Sequence, residues 1–380
     1  MSLRQIFPGG IVKPGFNPLA TQTSTTLYNL FGWGRNEVGQ LGLDNRTNYS
    51  SPKQVGSLTD WLTIGSAYIN TMAIKTNGTL WGWGRGTYGA NGLGNTTSYS
   101  SPKQVGALTN WLYISSGGYG CFGATKTDGT LWTWGSASSY GALGHGNTVY
   151  YSSPKQVGAL TTWSSINFGS VYYAVAIKTD GTLWTWGYNA YGQLGIGNKT
   201  NYSSPKQVGA LTNWSRASPG NGHIVAVKTD GTLWAWGNGS NGQLGIGNQL
   251  DRSSPNQIGA LTNWLYVAAG YLYSLAVKTD GSMWAWGAND YGQLGLGNRT
   301  LYSSPKQVGS LTTWSQVSNS GFNYHSAALK TDGTLWTWGS GADGRLGHGN
   351  LTNYSSPKQV GSSTTWFKVN VGVSHIMALG

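Results

Sequence analysis

Acid is scarce in this chain: of 380 residues eleven are Asp or Glu, and Glu37 is the sole glutamate. Charged residues of both signs reach only 9%, which excludes a highly charged disordered polymer and a salt-bridge-laced helical bundle. The single cysteine, Cys121, excludes an internal disulfide and gives no sign of an oxidising compartment. No apolar run is long enough to span a bilayer as a helix. The first twenty residues also lack the apolar core of an export signal, because Pro8, Gly9, Gly10, Pro14 and Gly15 interrupt it. The expectation is synthesis in the cytoplasm without secretion.

Glycine (60 residues) and aromatics (13%) are what the chain has in abundance, a balance suited to short strands and tight turns. The net charge of +12 suits an anionic partner. Much of it is built into recurring phrases, however. Six lysines sit in "KT(D/N)G" and six in "SPKQVG", so evenly spread, solvated charge is expected instead of a focused groove, and no specific nucleic acid is expected as partner.

All twenty tryptophans fall into three series. The first runs from Trp81 to Trp336 with Phe31 in the opening copy, the second lies two residues on, from Trp33 to Trp338, and the third runs from Trp61 to Trp366. Steps of 50 to 52 residues define seven units. Each unit holds four strand-length segments, and "TDG" between the second and third is a hairpin signal for which a tight primed turn is expected. Trp pairs at i and i+2 share one strand face, which a neighbouring sheet must cover. The first unit starts at "LYNLFGWG", without the half that precedes this phrase elsewhere, and the last half-unit, residues 366–380, supplies it. The expected fold is therefore all-β: a seven-bladed β-propeller of four-stranded blades, closed by N- and C-terminal strands sharing one blade. An extended arm over residues 1–26 would precede the propeller over 27–380.

The phrase "WGYNAYGQLGIGN" at 186–198, followed by "SSPKQVG" and by "GNGHIVAV" at 220–227, resembles the repeat of the regulator of chromosome condensation family. The resemblance covers residues 27–379, includes bacterial and phage members, and implies a seven-bladed ring. It implies no single activity, since the family's fold hosts exchange factors, a plant UV-B photoreceptor and a secreted β-lactamase inhibitor. The founder's wedge-like insertion has no counterpart, as no unit exceeds its neighbours by more than two residues. The photoreceptor's Gly-Trp-Arg-His-Thr signature is absent too.

No catalytic, metal or cofactor site emerges. His223, His325 and His375 share a repeat slot with Cys121, Asn70, Tyr173 and Tyr273, while His145 and His348 share another, in "LGHGN". Both read as structural positions. Three G-x-G-x-x-G matches, at Gly84, Gly237 and Gly339, follow strands but open no helix and read as turn glycines. The Asn-x-Thr triplets at 45–47, 198–200 and 298–300 read as polar loops.

Two features break the regularity. The loop before the histidine slot carries Tyr68, Tyr119, Tyr172, Tyr271, Phe322 and Tyr324, which either cover the ends of the blade cores or form a binding face. A second variable set includes Arg35, Glu37, Arg85, Tyr88, Tyr140, Tyr191, Tyr291 and Asp343. The arm carries Leu3, Ile6, Phe7, Ile11, Val12 and Phe16, apolar enough to dock on its own propeller or on another subunit. The expected function is a non-enzymatic structural and binding subunit located in a phage virion (tail, fibre or head decoration), joined to the other protein subunits through residues 1–26. The alternative is a bacterial inhibitor or adhesin that grips a host surface protein or glycan with the aromatic face.

Overall fold

The computed structural model describes residues 27–319, 322 and 324–380. Seven four-stranded antiparallel sheets stand around a central channel. Six blades are continuous in sequence, spanning 61–104, 111–156, 163–207, 214–257, 264–307 and 314–359. The seventh is shared: Lys368–Val371 and His375–Leu379 from the C-terminal end form its two inner strands, and Leu30–Gly34 and Tyr49–Gln54 its two outer ones. Leu30 pairs with Leu379 and Gly34 with His375, and Asn29 and Gly380 exchange backbone hydrogen bonds of 3.0 and 3.1 Å. The expected closure is what the structure shows, so the ring has no open sheet edge between its ends.

The phrase "KTDGTLW" recurs because each letter has a task in the hairpin. In the blade 214–257 the Asp230 carboxylate accepts from the backbone N–H and the hydroxyl of Thr232, and the Thr232 oxygen accepts from the indole of Trp234 at 2.8 Å. Gly231 (φ +77°) donates to the Lys228 carbonyl, and the Lys228 N–H donates to the Thr232 carbonyl. This is a type I turn closed by a glycine bulge, not the primed two-residue turn expected from "TDG". Asp230 keeps a negative φ, and its side chain caps the turn, which is the local reason for the difference.

The lysine of the phrase also departs from expectation. In six blades its ammonium lies over two indoles, 3.7–4.5 Å from the first-series ring and 4.8–5.0 Å from the third-series ring. Lys75, Lys126, Lys228 and Lys278 are buried there, whereas the "SPKQVG" lysines are exposed on the outer strands, as expected. Burial lowers the affinity of Lys126, Lys178, Lys228, Lys278 and Lys330 for their protons, and the ring faces offset that cost through cation–π attraction. In the shared blade Gly380 stands in the lysine position and Phe31 in that of a Trp, with Phe31 edge-on to Trp366 at 5.1 Å.

Blades are joined by the second Trp series, which is wholly buried. Each indole N–H donates to a carbonyl in the preceding blade at 2.8–3.2 Å, seven times around the ring. Trp33 reaches Arg345 and Trp83 reaches Gln40, so the shared blade is tied on both sides.

Candidate functional site

Antiparallel alternation puts the loops after the innermost strands and after the third strands on one face of the ring, and the "KTDG" hairpins on the other. The first face is rich in tyrosine. Phe322 meets Tyr119 edge-on at 4.8 Å and Tyr68 at 6.2 Å; Tyr119 stacks on Tyr172 at 5.1 Å; Tyr172 neighbours Tyr140, which packs on Tyr188 at 4.6 Å, and Tyr188 meets Tyr191. A second group joins Tyr271, Tyr324 and Tyr291, the last two stacked at 4.7 Å. The structure thus brings Tyr68, Tyr119, Tyr172 and Phe322 into one arc and places Tyr271 and Tyr324 in a neighbouring cluster.

Backbone geometry holds these rings in place. Tyr119 (φ +56°) and Tyr172 (φ +58°) adopt the left-handed region, which side chains with a Cβ enter at a cost. The position of Tyr172 is taken in the next blade by Gly222 (φ +79°). Tyr119 remains 46% exposed, so the strained backbone presents the ring to solvent instead of burying it. Burial pushes the Tyr172 hydroxyl up to about 12, with Cys121 and neighbouring tyrosines adding to the shift. Tyr188 and Tyr324 move in the same direction, also chiefly through burial. These tyrosines therefore stay neutral at physiological pH and offer stacking faces and hydroxyl hydrogen bonds.

The histidine slot is a blade-to-blade brace. His223 Nε2 lies 3.1 Å from Ser274 Oγ and His375 Nε2 lies 3.2 Å from Thr71 Oγ1, each in the next blade; Tyr173 and Tyr273 use their hydroxyls to reach next-blade carbonyls. Burial holds His223 and His375 down at about 3 and His145 and His348 at about 4, so all four are neutral. Cys121 is buried, donates to the Ser136 carbonyl, and has its thiol pushed up to about 12 by burial, which makes it unreactive. No cluster of three metal-ligating side chains occurs among the described residues. Two of the three glycine matches run into 3-10 turns of three residues, Thr87–Gly89 and Ala342–Gly344, and in the third Gly237 enters an irregular loop; no helix end follows any of them to receive a phosphate.

Sequence reasoning missed Tyr188, which links Tyr140 to Tyr191 although it stands next to the repeat's invariant-looking "WG". It also missed the position two residues after the third-series Trp, where Tyr113, Arg216, Tyr266, Gln316 and Lys368 line the channel. The signal was available: this position reads Thr, Tyr, Ser, Arg, Tyr, Gln, Lys through the units, two residues after a Trp that all seven share. The arm residues Leu3, Ile6, Phe7, Ile11, Val12 and Phe16 fall outside the described residues.

Family comparison agrees with the geometry. The model of the "Regulator of chromosome condensation (RCC1) repeat" matches seven times, over residues 29–74, 77–123, 128–175, 180–227, 230–277, 280–329 and 332–379. The chain belongs to the RCC1 repeat family. A segment of 56 residues is 43% identical to an X-linked retinitis pigmentosa GTPase regulator homolog of Caenorhabditis elegans, covering 14% of this chain and 4% of that protein. Prp20p of Saccharomyces cerevisiae, solved in a study of its binding to Gsp1p and histones, superposes with a TM-score of 0.81 at 18% identity over 94% of this chain and 92% of its own. Yeast RCC1 (Prp20), solved with Kap60, gives 0.84 at 19% identity over 100% and 94%. Human WBSCR16 gives 0.81 at 20% identity over 93% and 98%. At these identities the solved structures speak for the fold alone. The expected virion location is overturned by these relatives, which are proteins of a nematode, a yeast and a human. A regular repeat is no mark of a virion scaffold, because any closed propeller needs equivalent packing positions in every blade wherever it works.

Proposed function

We propose that this RCC1-repeat propeller is a non-enzymatic binding protein that seats a protein partner on its tyrosine-rich face. The observation that carries the reading is the unbroken arc of rings from Phe322 through Tyr119 and Tyr172 to Tyr191, two of them held out on left-handed backbone. Rings with few rotatable bonds provide contact area at low entropic cost, and tyrosine is enriched where protein interfaces concentrate their affinity. The net charge of +12 favours a partner with an acidic surface and disfavours strongly basic ones such as histones. The apolar arm over residues 1–26 would serve as a second point of attachment, tested by its deletion.

Photo-crosslinking residues placed at 119 and 172, in the cells that make the chain, should yield protein adducts. The same residues at Leu211 and Leu311, half-exposed on the opposite face, should not. Adducts from the hairpin face alone would refute the reading, and capture of glycans only would replace the protein partner with a sugar. Regulation of a GTPase, the role named for the nematode relative, has its own assay: nucleotide release from Gsp1p with and without this chain. With units of 50 to 52 residues and no inserted wedge, no acceleration is expected.

A further inference from the structure

The central channel holds a cavity of about 170 Å³ lined by the innermost strands. Its lining contains two cationic side chains, Arg216 and Lys368, and no Asp or Glu: the eleven carboxylate side chains all lie elsewhere. The two cations occupy equivalent positions three blades apart in a ring of seven, so they approach the channel from nearly opposite sides. Arg216 lies with its guanidinium 4.1 Å from the centroid of the Tyr266 ring. Lys368 donates to Thr63 Oγ1 at 2.5 Å, which uses one of its three ammonium hydrogens. Between them the wall is polar, with Tyr113 donating to Asn167 at 2.9 Å and Gln316 donating to the Val369 carbonyl.

Taking a cation out of water costs free energy, and an anion bound against it offsets that cost. Burial pushes the Lys368 ammonium down to about 8 and lowers the Arg216 guanidinium, both in the direction a bound anion would reverse.

We propose that the channel is an anion site, in which a small oxyanion of the phosphate class is held between Arg216 and Lys368. The second amide hydrogen of Gln316, not used in its bond to Val369, is a further donor on the wall. The size of the cavity and the aromatic mouth, where Phe322 lies over Gly118 and meets Tyr68, suit a small free ion better than a side chain carried in on a docked protein. This site does not depend on what binds the tyrosine-rich face.

Calorimetric titration of inorganic phosphate into the full chain, against sodium chloride of matched ionic strength, should give a saturable signal. Lys368→Met and Arg216→Gln should each weaken it about tenfold or more, the effect of losing one charge-assisted contact. Lys368→Arg should retain it, and Lys306→Met, on an exposed outer strand, should leave it unchanged. No saturable signal, or equal losses from Lys306→Met and Lys368→Met, would overturn the proposal. Should the channel variants fail to fold, the phosphorus resonance of phosphate decides on the wild-type chain: broadening that saturates supports the site, and an unbroadened line sinks it.

Discussion

The indole N–H of Trp286 donates to the backbone carbonyl of Gln243 at 2.9 Å, although the two residues belong to adjacent blades. The same bond is made seven times around the ring, and the glycine after the following leucine makes room for it. A Cβ on Gly245 would come within 2.7 Å of that indole nitrogen, at a residue whose φ of +69° already disfavours any other side chain.

Gly245→Ala should therefore lower the unfolding free energy by about 2–4 kcal/mol in urea titration, combining overpacking with left-handed strain. A loss within about 0.5 kcal/mol, the range of surface substitutions, would mean that the blades are not packed as described.

The buried lysines give a second test. Lys228→Met keeps the hydrocarbon stem between Trp214 and Trp234 and removes only the charge, and should cost about 1–2 kcal/mol. Lys206→Met, on an exposed outer strand where the ammonium lies over the single Tyr202 ring at 5.2 Å, should cost less, about 0.5 kcal/mol. Equal effects from the two would contradict a cation–π role.

How far the fold could be read follows from how local its causes are. The Trp series, the hairpin phrase and the two half-units at the termini are sequence patterns whose only common solution is a closed ring of seven, and Leu30 does pair with Leu379. The fate of Lys228 was not legible, because the indole of Trp214 that covers it comes from fourteen residues upstream on the innermost strand. Of the site, Tyr119 and Tyr172 could be picked out as aromatic departures in a repeated loop. Their convergence with Phe322 depends on a blade that is close only after the ring shuts. Arg216 and Lys368 lie on strands that look like core, and only the topology turns their side chains toward a shared channel.

Acid sensitivity should report the buried imidazoles. Burial holds His223 at about 3, while in the unfolded chain it titrates near ~6.5. As pH falls, the unfolded state takes up the proton first, so this contribution to stability is complete above about pH 6.5 and declines as the pH drops toward 3. His223→Tyr, which installs the residue used at 173 and 273, should flatten the slope of unfolding free energy against pH by up to about 1.4 kcal/mol per unit between roughly pH 6 and 4.5. An unchanged slope would show that His223 is not held neutral.

Strain and function should separate at Tyr172. Tyr172→Gly removes the left-handed penalty but also the stacking on Tyr119 and the ring's packing against the blade core, so a net loss of about 1–2 kcal/mol is expected, with the fold retained. Partner binding should fall sharply. A variant that binds normally would show that the ring merely covers the end of its blade.

The most direct test is the dissociation constant for the protein recovered by crosslinking, measured with wild type and with a Tyr119→Ser/Tyr172→Ser double variant whose near-ultraviolet dichroism confirms an intact ring. A tyrosine-face interface predicts at least a roughly 30-fold loss, the size expected when central aromatic residues are removed. An affinity within about twofold of wild type would place the interface elsewhere on the propeller.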